Sequence, residues 1–317
     1  MIENLLDPAV LCFGLGLLAG VLGADIRLPG ALYETLSVYL LLAIGLKGGV
    51  DLASAGFAQA APGVGAALAL GAATPLLAYP VLRMGGLDRP NAGALSAHYG
   101  SVSAVTFAVC LGFLDREGVS YEAYVAVMLA FMEIPALAVG ILLARGLGNN
   151  SGRWGEVSRE ILLGKGVFFL VAGLVVGAVA GPQRTQAVAP LFFGLFKGAL
   201  VLFLLEMGLV ASRQLRDLAK LGPFLVGFGT LAPLCFGLLG AAVGTAVGLS
   251  VGGTAVLATL AASASYIAAP AAMRLAVPEA NPSIYLTTSL GITFPFNLVW
   301  GIPLYLWMAR FAAGLLG

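Results

Sequence analysis

The sequence predicts an all-α polytopic membrane protein built from ten transmembrane helices. Three observations predict this fold class: 60% of the 317 residues are hydrophobic, only 10% are charged, and the apolar residues form long runs separated by short polar or glycine-containing segments. A soluble domain carries about 25% charged residues, so this chain lacks the charge to cover a water-facing surface. The composition excludes a disordered chain, a secreted disulfide scaffold and a transmembrane β-barrel. The net charge of +1 gives no indication of a nucleic-acid partner, and we expect none.

Ten apolar stretches have the length of a membrane span, which needs about 20 residues. The N-terminal segment carries Glu3 and Asp7 in place of the positive charge that opens a signal peptide, so we expect the first span to be retained. The isolated Cys12, Cys110 and Cys235 are expected to be small buried apolar side chains. The predicted spans cover residues 8–24, 30–48, 57–82, 91–113, 121–145, 160–180, 187–210, 223–248, 252–272 and 284–312.

The distribution of basic residues predicts the orientation of these spans. Cytoplasmic connections carry an excess of lysine and arginine. With the N-terminus outside, eleven basic residues fall on the cytoplasmic side and four on the outer side, while Lys197 lies within a span. The distribution therefore predicts that both termini lie outside, and we expect the membrane to be the bacterial inner membrane. The eleven cytoplasmic residues are Arg27, Arg83, Arg89, Arg145, Arg153, Arg159, Lys165, Arg213, Arg216, Lys220 and Arg274.

An internal repeat relates residues 1–145 to residues 160–317, with 146–159 as a cytoplasmic linker between them. Each half contains five spans, an odd number, so the second half enters the membrane from the opposite side. The result is an inverted repeat, as in many secondary transporters; the alternative is chance matching among small residues. An offset of 163 pairs Gly45 with Gly208 and residues 100–106 with 263–269, and an offset of 157 pairs Gly16 and Gly20 with Gly173 and Gly177.

Spans four and nine are predicted to be broken where these matched segments combine small and hydroxyl-bearing residues. Broken helices near the midplane form transporter sites, because unwound backbone there lines a cavity or finds a partner. Free N–H groups and hydroxyls suit an anion, and exposed carbonyls suit a cation such as sodium. The alternative is that the serines only pack helices together. The candidate substrate-binding residues are Gly100, Ser101, Ser103, Thr106, Ser263, Ser265 and Tyr266.

Few ionisable residues lie deep within spans, and these are functional candidates by default. Glu133 precedes Pro135, which can kink the helix and turn the carboxylate towards a cavity. Its role as a cation ligand, a proton carrier or a structural hydrogen-bond partner is open. Asn297 and the nearby Thr293 occupy the approximate counterpart position in span ten and complete the candidate ion-coupling set. His98 is either a proton relay or a structural histidine.

Motifs for other kinds of chemistry are absent from the sequence. It contains no P-loop, no dinucleotide fingerprint, no metal-ligand cluster and no Ser-His-Asp spacing. We therefore expect a protein that is not an enzyme and that has no cofactor and no metal, apart from sodium as a coupling ion.

Several motifs in order across nearly all ten spans resemble the sodium-dependent bicarbonate transporter family of cyanobacteria. They are residues 44–49 (IGLKGG), 120–123 (SYEA), 131–137 (FMEIPAL) and 278–283 (PEANPS). The resemblance implies a five-plus-five inverted repeat, a mobile core domain moving against a scaffold, and substrate bound at broken helices four and nine. It also implies sodium coupling, a homotrimer and control by a small PII-like cytoplasmic protein.

The chain departs from the cyanobacterial pattern at the candidate site. Val105 replaces a serine, Tyr266 replaces an aspartate, and Glu133 stands where that pattern has aspartate, which preserves the charge. The hydrophilic loop between spans five and six, where 146–159 lies, is also shortened. Bicarbonate as the substrate and sodium as the coupling ion are therefore implied by the family resemblance alone. The shortened loop makes the PII-like partner a weaker implication than these two.

Taken together, these features favour a secondary transporter that imports bicarbonate or a similarly small anion with sodium. A second hypothesis is a proton-coupled or uncoupled carrier of another small carboxylate, since Tyr266 has displaced an acid. A third is a sensor or channel built on the transporter scaffold. Net accumulation against a gradient would separate a carrier from a channel, and binding without flux would indicate a sensor.

Overall fold

The structure is a computed structural model that describes residues 6–24, 26, 29–146, 159 and 161–316. Within these ranges the chain forms helices and short connections, and no β-strand. Most of the predicted linker 146–159 lies outside the described residues, as do Arg27 and Arg153 from the orientation count.

The first half of the chain forms six helical segments. The first five begin beside a glycine or proline or at a capping side chain: the Asp7 and Asp88 carboxylates accept backbone N–H bonds at the starts of the first and fourth. The helices are α1 (Pro8–Val21), α2 (Gly30–Ala55), α3 (Phe57–Met84), α4 (Arg89–Gly100), α5 (Ala104–Arg116) and α6 (Val125–Arg145).

The second half follows a similar order of elements. A short π-helical turn, Pro190–Gly194, precedes α8, and α8 itself kinks at Gly222, which has a φ of 74°. The last helix alternates α-helical and π-helical segments between Thr287 and Gly301. The helices are α7 (Lys165–Thr185), α8 (Phe196–Ala246), α9 (Val251–Ala262), α10 (Ala268–Ala276) and α11 (Pro282–Leu315).

Eight helical stretches among the described residues are long and apolar enough to cross a membrane, which makes the chain a polytopic membrane protein. One of the eight joins α4 and α5, and the two arms of α8, Phe196–Leu215 and Gly222–Ala246, count separately. The first and ninth predicted spans fall on shorter apolar helices, α1 and α9. Cys235, expected to be buried, is exposed on the outside of the bundle, whereas Cys110 is buried as expected.

Spans four and nine are both interrupted. After α4, Ser101 and Ser103 are extended, and the helix resumes as α5. After α9, Ser263 is extended and the helix resumes as α10. The segments predicted to break therefore do so, and they are the segments that carry most of the candidate site residues.

Two close helix crossings pack glycines against backbone. In one, a Cβ on Gly45 of α2 would overlap the Leu170 carbonyl of α7, and Gly173 lies opposite. In the other, a Cβ on Gly16 of α1 would overlap the Leu205 carbonyl of α8, and Gly208 lies opposite. Small residues let membrane helices approach this closely, where dispersion contacts and not water exclusion hold them together.

The crossings divide the helices into two groups. The pairs α1 with the first arm of α8, and α2 with α7, form one group, called here the scaffold. Helices α3, α4 and α6 pack together, and the second arm of α8 packs against α9 and α11. These helices, together with α5 and α10, form the second group, called here the core. It contains both interrupted helices, α4–α5 and α9–α10.

We expect Gly45→Ala to destabilise the protein, because the added methyl group meets the α7 backbone and cannot be accommodated by a rotamer change. Overpacking of this kind costs about 1–3 kcal/mol, which should appear as a lower midpoint of thermal unfolding in detergent. Gly65→Ala is the matched control, since a Cβ there meets nothing within 4 Å. Equal unfolding midpoints for the two variants would contradict the crossing.

Candidate functional site

The two helix interruptions meet inside the core and hydrogen-bond to each other. The Ser103 N–H donates to Ser263 Oγ at 2.9 Å, and the Ser265 N–H donates to the His98 carbonyl at 2.8 Å. Each interruption thus provides hydrogen-bond partners for backbone groups of the other. Non-helical backbone at membrane depth requires such partners. The serine-rich sequence is what makes these bonds available.

Ser103 also caps α5, and Ser265 bonds to the first turn of α10. Ser103 Oγ accepts from the Thr106 N–H at 3.1 Å and from the Thr106 hydroxyl at 2.9 Å. Ser265 Oγ accepts from the Ala269 N–H at 3.1 Å. A serine hydroxyl that accepts still has its own hydrogen to donate. The positive N-terminal ends of α5 and α10 therefore converge on this point together with two hydroxyl donors.

Glu133 joins this junction from α6. It is 3% exposed, and its Oε1 accepts from the Ser101 hydroxyl at 3.1 Å. The carboxylate borders the cavity between the interruptions. A carboxylate at this depth beside hydroxyl oxygens provides hard oxygen ligands of the kind that an alkali cation takes from a protein.

A small cavity of about 10 Å³ lies between the two interruptions. A volume of this size holds about one water molecule, so a polyatomic anion needs the walls to move apart. Four polar residues line it, namely Ser103, Ser265, Tyr266 and Glu133. The apolar lining consists of Leu41, Val102, Ala104, Leu129, Gly166, Ile267 and Ala268.

The Tyr266 hydroxyl is a polar group at this cavity that has no hydrogen-bond partner among the described residues. The side chain is buried and its ring packs edge-on against Phe294, with centroids 5.0 Å apart. The hydroxyl lies near Ser103, but their geometry does not meet that of a hydrogen bond, and it has no other partner among the described residues. Buried hydroxyls are normally paired, so a guest in the cavity would find a donor here.

Thr293 and Asn297 of α11 lie outside the lining of this cavity. Thr293 Oγ1 accepts from the Tyr99 hydroxyl at 2.5 Å and donates to the Gly229 carbonyl at 2.7 Å. Both bonds tie α11 to its neighbours. The structure thus does not bring Thr293 to the lining that Glu133 borders.

Asn297 is likewise engaged elsewhere. Its Nδ2 donates to the Ala262 carbonyl at 3.0 Å, and its Oδ1 accepts from the Tyr305 hydroxyl at 2.6 Å. The first bond satisfies a carbonyl that is freed where α9 ends. Asn297 therefore holds the break in position, while Glu133 borders the cavity itself.

Gly100 and His98 also lie behind the cavity lining. A Cβ on Gly100 would meet Pro75 and Ala136, so the glycine permits close packing of α4 against α3 and α6. The His98 ring is buried, stacks on Tyr285 with centroids 4.4 Å apart, and donates from Nδ1 to the Ala94 carbonyl at 2.7 Å. Its Nε2 has no partner among the described residues.

Two scaffold residues that the sequence did not single out face the core at this cavity. Leu41 of α2 and Gly166 of α7 line it, and a Cβ on Gly166 would meet Ala268 of α10. An apolar residue in a span looks like any other, so no signal distinguishes Leu41. The cavity therefore lies where the core meets the scaffold.

Among the residues that the structure describes, no group of three or more histidine, cysteine, aspartate or glutamate side chains could hold a metal ion. The chain matches the Na+-dependent bicarbonate transporter superfamily over residues 8–310. No curated protein matches it. Since the match covers nearly the whole chain, the protein belongs to the Na+-dependent bicarbonate transporter superfamily.

Proposed function

We propose that the protein is a secondary active transporter that imports bicarbonate or a similarly small anion together with sodium, by alternating access. Family membership supports the substrate class. The observation that carries the proposal is the meeting of two interrupted helices around a buried cavity with hydroxyl donors and one carboxylate. This combination offers a place for an anion and for a cation at once.

The proposed architecture is a five-plus-five inverted repeat of ten spans, with residues 1–145 and 160–317 as the two repeats and 146–159 as the linker. The glycine crossings support it. The offset of 157 carries Gly16 to Gly173 and the offset of 163 carries Gly45 to Gly208. The contact between Gly16 and Gly208 therefore has its counterpart in the contact between Gly173 and Gly45.

Alternating access would follow from movement of the core against the scaffold. The small cavity is lined from both groups of helices, so a displacement between them opens it to one side and closes it to the other. The apolar contact across this boundary between Gly166 and Ala268 of α10 involves no ion pair, and no buried ion pair crosses the boundary among the described residues. Sliding of such surfaces exchanges one set of dispersion contacts for another.

In this proposal the anion takes hydrogen bonds from Ser103, Ser265 and Tyr266 at the helix ends. Ser101, Thr106, Ser263 and Gly100 shape and hold the two interruptions. Glu133 balances the charge of the coupling cation, and Thr293 and Asn297 act through the position of α11.

The alternative is a proton-coupled or uncoupled carrier of another small carboxylate. Two observations favour it: Tyr266 occupies a position where the cyanobacterial pattern has aspartate, and His98 Nε2 lacks a partner among the described residues. His98 would then relay the proton. A sensor or channel on the same scaffold is the remaining alternative, and it predicts binding without accumulation, or flux without saturation.

The proposed setting is the bacterial cytoplasmic membrane, with both termini on the outer side and the lipid bilayer in contact with exposed apolar side chains such as Leu15, Val179 and Leu238. Assembly as a homotrimer and control by a PII-like protein on the cytoplasmic face follow from the family resemblance. Crosslinking in native membranes tests the trimer directly.

Purified protein in sealed liposomes should accumulate labelled bicarbonate when a sodium gradient points inward. Accumulation should vanish when choline replaces sodium, and a panel of small carboxylates should compete according to size. Uptake that follows a proton gradient and ignores sodium would favour the alternative carrier.

We expect Glu133→Gln to reduce sodium-driven uptake by at least ten-fold while the protein still folds, because the amide keeps the hydrogen bond from Ser101 but removes the charge. Glu34→Gln is the matched control, since Glu34 is exposed and paired with Lys165 at 3.0 Å. Unchanged sodium dependence in Glu133→Gln would remove this carboxylate from the mechanism.

A bulky side chain at Ser103 should fill the cavity and block uptake. Ser103→Leu removes the cap of α5 as well, which costs about 1 kcal/mol, so Ser103→Ala measures the loss of the hydroxyl alone. We expect uptake to fall further in Ser103→Leu than in Ser103→Ala. Ser54→Leu, at an exposed position where the hydroxyl bonds only its own helix, serves as the control. Full transport by Ser103→Leu would dismiss this site.

A further inference from the structure

A second and much larger cavity, of about 740 Å³, lies at the end of the bundle where α1 begins and α5 ends. It is called here the vestibule. Its walls come from the scaffold helices α1, α2 and α8 on one side and from α5 and the start of α6 on the other. Under the proposed orientation this is the outer end of the protein.

The vestibule ends one helical turn from the small cavity. Ile44, Phe107 and Ala126 line the vestibule, and Leu41, Ala104 and Leu129 line the small cavity. These are the same three helices, and in each the two residues are three positions apart, which corresponds to about 5 Å along a helix. A single layer of side chains therefore separates the two spaces.

The vestibule contains three acidic and three basic residues, and most of these charges are engaged locally. Arg116 forms an ion pair with Asp7. Asp115 accepts from the Tyr121 hydroxyl at 3.0 Å. Lys47 and Asp51 lie one turn apart on α2 and interact electrostatically.

Lys197 is the exception. It lies in the first turn of α8, is exposed, and makes no ion pair or hydrogen bond with another described residue. Phe196, adjacent to it in the chain, and Phe193, four residues earlier, also line the vestibule. Apolar walls lower the local dielectric constant and so strengthen the field of an uncompensated ammonium group. A cation within a membrane span that faces a cavity is a candidate functional group by default.

We propose that the vestibule holds an anion-binding subsite at Lys197, where a small monovalent oxyanion collects before it reaches the cavity between the interrupted helices. The identity of the anion as the transported substrate rests on the proposed function. The electrostatic argument for the subsite is independent of that function. The carboxylates Asp51 and Asp115 lie on α2 and α5, on other walls of the vestibule. Because they repel an anion, they direct it towards Lys197 on α8.

The test measures the local potential without requiring transport. In the full chain with Cys12, Cys110 and Cys235 changed to alanine, Gly198→Cys places a thiol beside Lys197, and a Cβ at that position meets nothing within 4 Å. Impermeant methanethiosulfonates, one carrying a sulfonate and one a trimethylammonium group, are applied to the outside of right-side-out vesicles. The ratio of the sulfonate rate to the trimethylammonium rate reports the sign of the field.

We expect Lys197→Gln to lower this ratio by about three-fold or more, and Lys197→Arg to restore it. Added sodium bicarbonate should slow the sulfonate reagent in the parent protein but not in Lys197→Gln. The matched control, Lys165→Gln, removes one positive charge at the opposite end of the bundle and should leave the ratio unchanged. In uptake assays Lys197→Gln should raise KM for the anion about three-fold and leave kcat unchanged.

An unchanged ratio in Lys197→Gln overturns the subsite, whatever the transport assays show. So does an equal fall in Lys165→Gln, since the field would then belong to the whole protein. Labelling from the cytoplasmic side alone would overturn the outer placement. A ratio that falls as expected in a protein that moves no anion would support the subsite and count against the proposed transport function.

Discussion

The structure depends on the need to satisfy backbone polar groups inside a membrane. Helices α4 and α9 both stop near the middle of the bundle, and the groups freed there have no water to bond. The Ser103 N–H and the Ser265 N–H each find an acceptor in the opposite interruption, and Asn297 takes up the Ala262 carbonyl. Neither break is self-sufficient, so the two form as one unit, and the cavity lies where that unit faces the scaffold.

The scaffold meets a different constraint. Its helices gain little from excluding water, since lipid is as apolar as their side chains, so they must pack closely to be held. The glycines at the two crossings bring backbone against backbone and leave a stiff frame. Against it the core presents mainly apolar, small side chains at α10. A closely packed frame beside a mainly apolar surface is suited to the displacement that the proposed alternating access would require.

Much of this could be predicted from the residues. The positions of the interruptions followed from segments of serine and glycine that correspond under one offset, and the glycines that pack at the crossings are those that the predicted repeat pairs. Local chemistry and periodicity carry that information. The predicted grouping of Thr293 and Asn297 with Glu133 is not what the structure shows at the cavity, because both side chains bond to carbonyls of neighbouring helices, Gly229 and Ala262. The hydropathy of a span does not show which neighbouring helix a given side chain faces.

By itself, the sequence determined that the chain is a helical membrane protein, where two of its helices break, and which family it resembles, since these properties depend on composition, short motifs and spacing. Only the tertiary structure decided which polar groups face a common space. Tyr266 and Glu133 share one cavity, His98 lies behind it, and Lys197 lies in a vestibule one turn of helix away. The reason is physical: which side chains share a space depends on how helices from distant parts of the chain rotate and cross, and no local pattern encodes that.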